Sequence, residues 1–154
     1  ADLDLHPQQL KTLLEVMDRT GADVVIGSKM HPDSVLDYPL HRRILSWGYY
    51  VLVWILFGLP VHDTQTGIKL YTREALSQVM DRIVVKRFAY DIELLVVAHS
   101  RGFKIAEAPV TLDFSRLSGR IGARDIFNIL WYTADIFYRR HVLRYYDRPG
   151  ESKP

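Results

Sequence analysis

A chain of 154 residues with 20 Lys and Arg against 18 Asp and Glu carries a formal charge of +2, too balanced to mark a nucleic-acid binder. It is long enough for one domain with a real core. The absence of cysteine excludes disulfides, thiolate metal sites and cysteine nucleophiles together.

The opening residues ADLDLHP set Asp2 and Asp4 two apart, on one side of an extended segment, on the approach to a helix. Two such carboxylates can converge on a divalent cation. They also suit the N-terminal end of a helix as solvated turn residues, through capping and the helix dipole. Pro7 near the first turn, apolar Leu10, Leu13, Leu14 and Met17 at three- and four-residue spacing, and Gly21 just past the end mark that helix. DVVIGS at 23–28 is a short apolar run ended by small residues and reads as a buried strand. A polar loop follows at 29–40, broken by Pro32 and Pro39.

The most apolar run, WGYYVLVWILFGL at 47–59, lies in a helix predicted from about 41 to 59, with Gly58 and Pro60 as its stop. It falls short of the ~20 apolar residues that span a bilayer. Its aromatics and the flanking Arg42 and Arg43 fit a membrane interface as well as the run fits a core. HDTQTG at 62–67 is a turn-rich connection into the strand IKLYT, and Thr72 caps the helix REALSQVMDRI. A helix FAYDIELLVVAHSR at 88–101 is closed by Gly102, and FKIAEAPVTLDF at 103–114 is the last strand region, with Pro109 marking an edge or a bulge. The loop SRLSGRIGAR leads to a final amphipathic helix from 125 to about 146. There Ile126, Phe127, Leu130, Trp131 and Phe137 precede a basic cluster of Arg139, Arg140, His141 and Arg144. Residues 147–154 read as a disordered tail. His62, His99 and His141 lack metal-ligand spacing and read as surface or internally bonded histidines. Strands alternating with helices predict an α/β fold with a mixed sheet, in one domain over 1–146.

In order, ADLDLHP, GSKM, RRILSWG, GLPVHDTQTGIKLYTREAL, RFAYDIELLVVAHSRGFKIAEAPVTL and SGRIGARD resemble family 2 glycosyltransferases of the polyprenyl-phosphate type, which make dolichyl-phosphate glucose or mannose and their bacterial counterparts. The resemblance runs from Ala1 to about Tyr146. It implies that this chain is the C-terminal part of a GT-A, Rossmann-like domain. The family's acidic motif reads Asp-Ala-Asp-Leu-Gln, so Ala1 and Asp2 match its second and third residues, and the first aspartate and the nucleotide-binding half precede the chain.

The resemblance further implies inverting transfer of a hexose from UDP-glucose or GDP-mannose to a polyprenyl phosphate, with Mg²⁺ or Mn²⁺ on the donor's diphosphate. DTQTG with IKLY leans toward the glucose-transferring members. Asp2 is then the first metal ligand, and Asp4, in the place of the family's glutamine, the second. Arg42 and Ser46, four apart on one helical face, contact phosphate. Lys29 stands where many relatives have arginine, which removes a bidentate fork. Arg116 and Arg120 match the family's mobile basic segment, although alone they read as a solvated loop. Asp63 and Gln65 fall at the sugar side of the pocket, where a turn signal explains Asp63, Thr66 and Gly67 equally well. Asp91 lines the site, whereas Glu93, diverging from it by about 200° on a helix, is structural. Catalytic roles thus fall to Asp2, Arg42 and Asp91. The implied location is the cytoplasm, peripheral to the cytoplasmic face of a membrane. The alternative is a truncated, inactive module that keeps membrane-surface or partner binding.

Overall fold

In the computed structural model, which describes residues 9–36, 40–85, 89–112 and 122–147, the apolar run VVIGS forms β1 (Val24–Ser28), buried along its whole length. A strand apolar at every position must be covered on both faces. Val24 and Ile26 join a large core built with helices later in the chain, whereas Val25 packs with Leu13, Val16 and Ala108 under α1 (Gln9–Thr20). Gly21 and Gly58, with φ of 61° and 64°, end the helices before them in the left-handed conformation that costs glycine nothing, as predicted.

β1 runs antiparallel to β3 (Lys69–Tyr71) and parallel to β4 (Ile105–Pro109), in the order β3-β1-β4. Val24 pairs with both Tyr71 and Ile105, and Ser28 with Pro109. The sheet is mixed, as expected, and Pro109 sits at the end of an edge strand, where proline is tolerated. The predicted strand at 103–114 is divided. After Val110 the chain enters β5 (Thr111–Leu112), which pairs in parallel with β2 (Val35–Leu36) inside the segment expected to be a loop. Ser34 Oγ accepts from Val110 N at 3.0 Å and Val35 N donates to Val110 O at 3.1 Å, so the pairing depends on a partner far along the chain. Two residues carry no periodicity of their own.

The helices are α2 (Leu40–Phe57), α3 (Arg73–Met80), α4 (Tyr90–Ser100) and α5 (Ala123–Phe137). Thr72 opens α3 as predicted, its hydroxyl accepting from Ala75 N at 3.2 Å. α4 is buried from Ile92 through Ala98, the property of a helix apolar around most of its circumference. This α/β arrangement is consistent with part of a GT-A domain.

The predicted last helix does not run unbroken to 146. α5 passes into a π-helical turn, Tyr138–Val142, and then a 3-10 turn, Tyr145–Asp147. The cause is Glu93, fully buried in α4. Its Oε2 accepts from Val84 N at 3.1 Å and Val85 N at 2.8 Å, and its Oε1 from Arg139 Nη1 at 3.0 Å and Tyr146 Oη at 2.6 Å. On a regular helix Arg139 and Tyr146 would stand about 10 Å apart along the axis. The irregular turns let both reach one oxygen. Arg139 also pairs with Asp135, so it belongs to the interior and not to a surface basic cluster. Glu93 is structural, as its divergence from Asp91 implied.

Gly27 is required for a different reason. A β-carbon there would lie 2.6 Å from both Ile68 Cγ2 and Val110 Cγ1, methyls fixed close to their own backbones. Gly27→Ala is expected to lower the unfolding free energy by about 1–3 kcal/mol. Urea denaturation measures it, and a loss under about 0.5 kcal/mol would mean that the neighbouring segments yield.

Candidate functional site

The turn HDTQTG is organised around one buried carboxylate. Asp63 Oδ2 accepts from Lys29 N at 3.0 Å and from Thr66 Oγ1 at 2.5 Å, Oδ1 accepts from Gln65 N at 3.0 Å, and Lys29 Nζ lies 3.4 Å away. Burial alone would raise this carboxyl. The Lys29 charge, the Thr66 hydroxyl and the two backbone N–H groups more than offset it, holding its pKa below the ordinary carboxylate value. Asp63 therefore shapes the turn and holds Lys29 against it.

Two further contacts fix the turn. Lys69 Nζ donates to Thr66 O at 2.5 Å and to Asp91 Oδ1 at 2.8 Å. From β4, Glu107 Oε1 accepts from His62 N at 2.8 Å and Asp63 N at 3.2 Å, while Oε2 lies 2.7 Å from His62 Nδ1.

Between this turn and helices α2 and α5 runs a groove of about 340 Å³, within the size range of small-ligand sites. Its walls are of two kinds. Lys29, Ser46, His62, Asp63, Thr64 and Gln65 are polar; Ile44, Leu45, Leu52, Ile126, Ile129 and Leu130 are aliphatic. An adjoining cleft of about 670 Å³ shares Lys29 and Ser46 and adds His31, Arg43 and Trp47. A hydrogen bond of 3.0 Å between the hydroxyls of Tyr49 and Thr133 ties α2 to α5 beside the groove. Thr64 Oγ1 is buried and has no hydrogen-bond partner among the described residues, a costly state that a ligand or water would relieve.

Of the residues singled out by sequence, Lys29, Ser46, Asp63 and Gln65 meet in this groove. Asp91 stands outside its wall and neutralises Lys69. Asp2, Asp4, Arg116 and Arg120 lie outside the described residues, as does the side chain of Arg42, whose backbone is one turn before Ser46 in α2. Among the described residues no group of three His, Asp or Glu could hold a metal ion. The buried acids Asp63 and Glu93 and the partly buried Glu107 are committed to other partners: Asp63 and Glu107 hold the turn, and Glu93 holds Arg139 and Tyr146.

The aromatic helices divide between core and surface. Val53 and Phe57 of α2 and Ile136 of α5 enter the core, while Trp47, Trp54, Ile55, Phe127 and Trp131 are each 56–67% exposed. Among the described residues no helix is long and apolar enough to cross a membrane.

No family model matches the chain. Individual relatives do. In an alignment of 154 positions that covers 96% of the chain, it is 34% identical to a dolichyl-phosphate beta-glucosyltransferase of Trichomonas vaginalis. In an alignment of 126 positions that covers 77% of the chain, it is 32% identical to the polyprenol monophosphomannose synthase of Mycolicibacterium smegmatis. The human dolichyl-phosphate beta-glucosyltransferase matches 62% of the chain at 36% identity. The chain belongs with the polyprenyl-phosphate hexosyltransferases of glycosyltransferase family 2.

The matches take in 45%, 47% and 30% of these three hexosyltransferases, so the chain spans about half of their length or less. Two groove features of this family member were not legible in its sequence. Glu107 looks like any carboxylate two residues before a proline in an edge strand, and His62 is the surface, internally bonded histidine its sequence suggested, but its partner could not be read there. Only the register of β4 against β1 brings Glu107 to the turn.

Proposed function

We propose that this chain serves a transferase moving glucose or mannose from UDP-glucose or GDP-mannose to a polyprenyl phosphate, with inversion, at the cytoplasmic face of a membrane. The observation that carries this reading is the two-sided groove, polar where a phosphate needs partners and aliphatic where an isoprenoid chain needs cover. An acceptor phosphate is already ionised at neutral pH. One of its oxygens attacks the anomeric carbon, the bond to the diphosphate breaks, and the nucleoside diphosphate leaves, with no general base required. The protein's task is to hold two anionic groups together. Lys29 and Ser46, with Arg42 one turn before Ser46 and with Arg116 and Arg120, supply that charge and those donors. Asp63 and Gln65 border the sugar, and Asp91 acts through Lys69 as a positioning residue. Mg²⁺ or Mn²⁺ on the donor diphosphate belongs to the same proposal through Asp2 and Asp4; it rests on the resemblance and on the chemistry of a diphosphate leaving group, and none of the roles given to the groove residues depends on it.

The exposed aromatic face next to the groove suits the headgroup level of a bilayer, with Arg43 and Arg124 exposed near the starts of α2 and α5 to meet anionic lipid. Sedimentation with phosphatidylglycerol vesicles is expected at low salt, weakened at high salt and lowered about tenfold by Trp47→Glu with Trp131→Glu. A folded preparation that stays in the supernatant at low salt removes the membrane from the proposal.

The transferase reading is tested with the gene product that carries these residues, given each radiolabelled donor, a polyprenyl phosphate and Mg²⁺. A labelled lipid of inverted anomeric configuration is expected, and its formation should fail with chelator or with Asp2→Asn. No product from either donor sinks the reading, while full activity of Asp2→Asn removes that residue from the site.

A further inference from the structure

We propose that His62, oriented by Glu107, is a second anion-binding group of the groove, with Thr64 beside it as a hydroxyl donor to the same ligand. The inference deepens the transferase reading and rests on it for the identity of the ligand, a phosphate monoester on an isoprenoid chain. Three observations converge. First, Nδ1 of His62 lies 2.7 Å from Glu107 Oε2, and an ionised carboxylate only accepts, so Nδ1 carries the hydrogen. That leaves Nε2 as the ring's other polar atom, on a side chain that lines the groove. Second, Glu107 is itself held by the N–H groups of residues 62 and 63, and the imidazole lies against the Tyr50 ring at a centroid distance of 4.8 Å. The ring is therefore fixed by two contacts, the Glu107 carboxylate and the Tyr50 ring, although half its side-chain surface is open, at 51%. Third, Thr64, on the same wall, is only 4% exposed and its hydroxyl is unsatisfied among the described residues.

A carboxylate behind an imidazole fixes the ring, and the protonated ring presents its second N–H outward. With a phosphate in front, that N–H becomes a charge-assisted donor. The other charged groups facing this ring are Asp63, whose negative charge is taken up by Lys29, and Lys29 itself. The tyrosine from α2 contributes a neutral face.

The test uses the 154-residue chain and two probes, geranyl phosphate and inorganic phosphate, observed through long-range ¹H–¹⁵N spectra of the imidazoles. The His62 signal is the one lost in His62→Gln. At pH 6.5 both probes are expected to shift that signal, geranyl phosphate at lower concentration. His62→Gln should weaken geranyl phosphate about tenfold, and Thr64→Val about two- to threefold. Glu107→Gln should change the ring's tautomer and remove most of the shift. His62→Lys should keep the affinity. An unmoved His62 signal at saturation, or a His62→Gln affinity within twofold of the parent, overturns the inference. If His62 responds to both probes but the geranyl chain adds no affinity, the anion-binding group stands and the lipid-acceptor reading falls. If geranyl phosphate binds His62→Gln as tightly as the parent and better than inorganic phosphate does, the acceptor reading stands and His62 is excluded.

Discussion

Glu93→Ala is expected to cost the protein about 3–5 kcal/mol of stability, a large part of the 5–15 kcal/mol typical of a folded domain. The carboxylate has no exposed surface and accepts four hydrogen bonds, from Val84 N, Val85 N, Arg139 and Tyr146. Removing it takes one of two carboxylate partners from a guanidinium whose side chain is 15% exposed, leaving Asp135 alone, and strands a phenol that is almost wholly buried. Burial, together with the hydrogen bond to Glu93 and its charge, pushes the Tyr146 hydroxyl well above its ordinary pKa, so it stays a neutral donor that needs an acceptor. The loss should be read by denaturant unfolding followed by circular dichroism, with hydrogen exchange quickening first at residues 138–147. Arg139→Met alone should also destabilise, and in the double variant Glu93→Gln with Arg139→Met the two costs should fall short of their sum, because the remaining partner is no longer a stranded charge. A Glu93→Ala protein within about 1 kcal/mol of the parent would contradict this account of the clamp.

Asp63→Ala is expected to cut transfer by at least about a hundredfold while leaving the fold intact, because a site loosened by an ångström loses that much. The substitution releases Lys29 N, Gln65 N and Thr66 Oγ1 together and frees the Lys29 ammonium from its partner 3.4 Å away. Asp63→Asn, which keeps the shape and loses the charge, should fall between the two. A variant with parental kcat and KM would reduce Asp63 to an ordinary turn residue. The same carboxylate makes a pH prediction whose sign follows from its lowered pKa. Its stabilising contribution is fully present above the unfolded value near 3.8 and is lost as pH falls through the lower folded value. The unfolding free energies of parent and Asp63→Asn should therefore differ from neutral pH down to about pH 4 and converge in stronger acid. A gap independent of pH would mean that the charge of Asp63 contributes nothing.

The sequence by itself determined whatever is encoded within a turn or two of chain. The uninterrupted apolar run of β1 required cover on both faces, Gly21 and Gly58 ended their helices, Thr72 capped α3, and the turn chemistry of HDTQTG was visible in its residue types. It also separated Asp91 from Glu93, since two residues that close on a helix cannot serve one pocket. What tertiary structure decided was the partner of each buried polar group. Nothing local joins Lys29 to Asp63, Glu107 to His62, or Glu93 to Arg139 and Tyr146; these pairs are 34, 45, 46 and 53 residues apart. The break of the last helix into a π-turn and the pairing of β2 with β5 have the same origin, since each satisfies hydrogen bonds to a distant element at the expense of a regular local pattern. Periodicity reports which side of an element is apolar, whereas a buried charge is stabilised only by the group that meets it in space, and that group is chosen by how the elements pack.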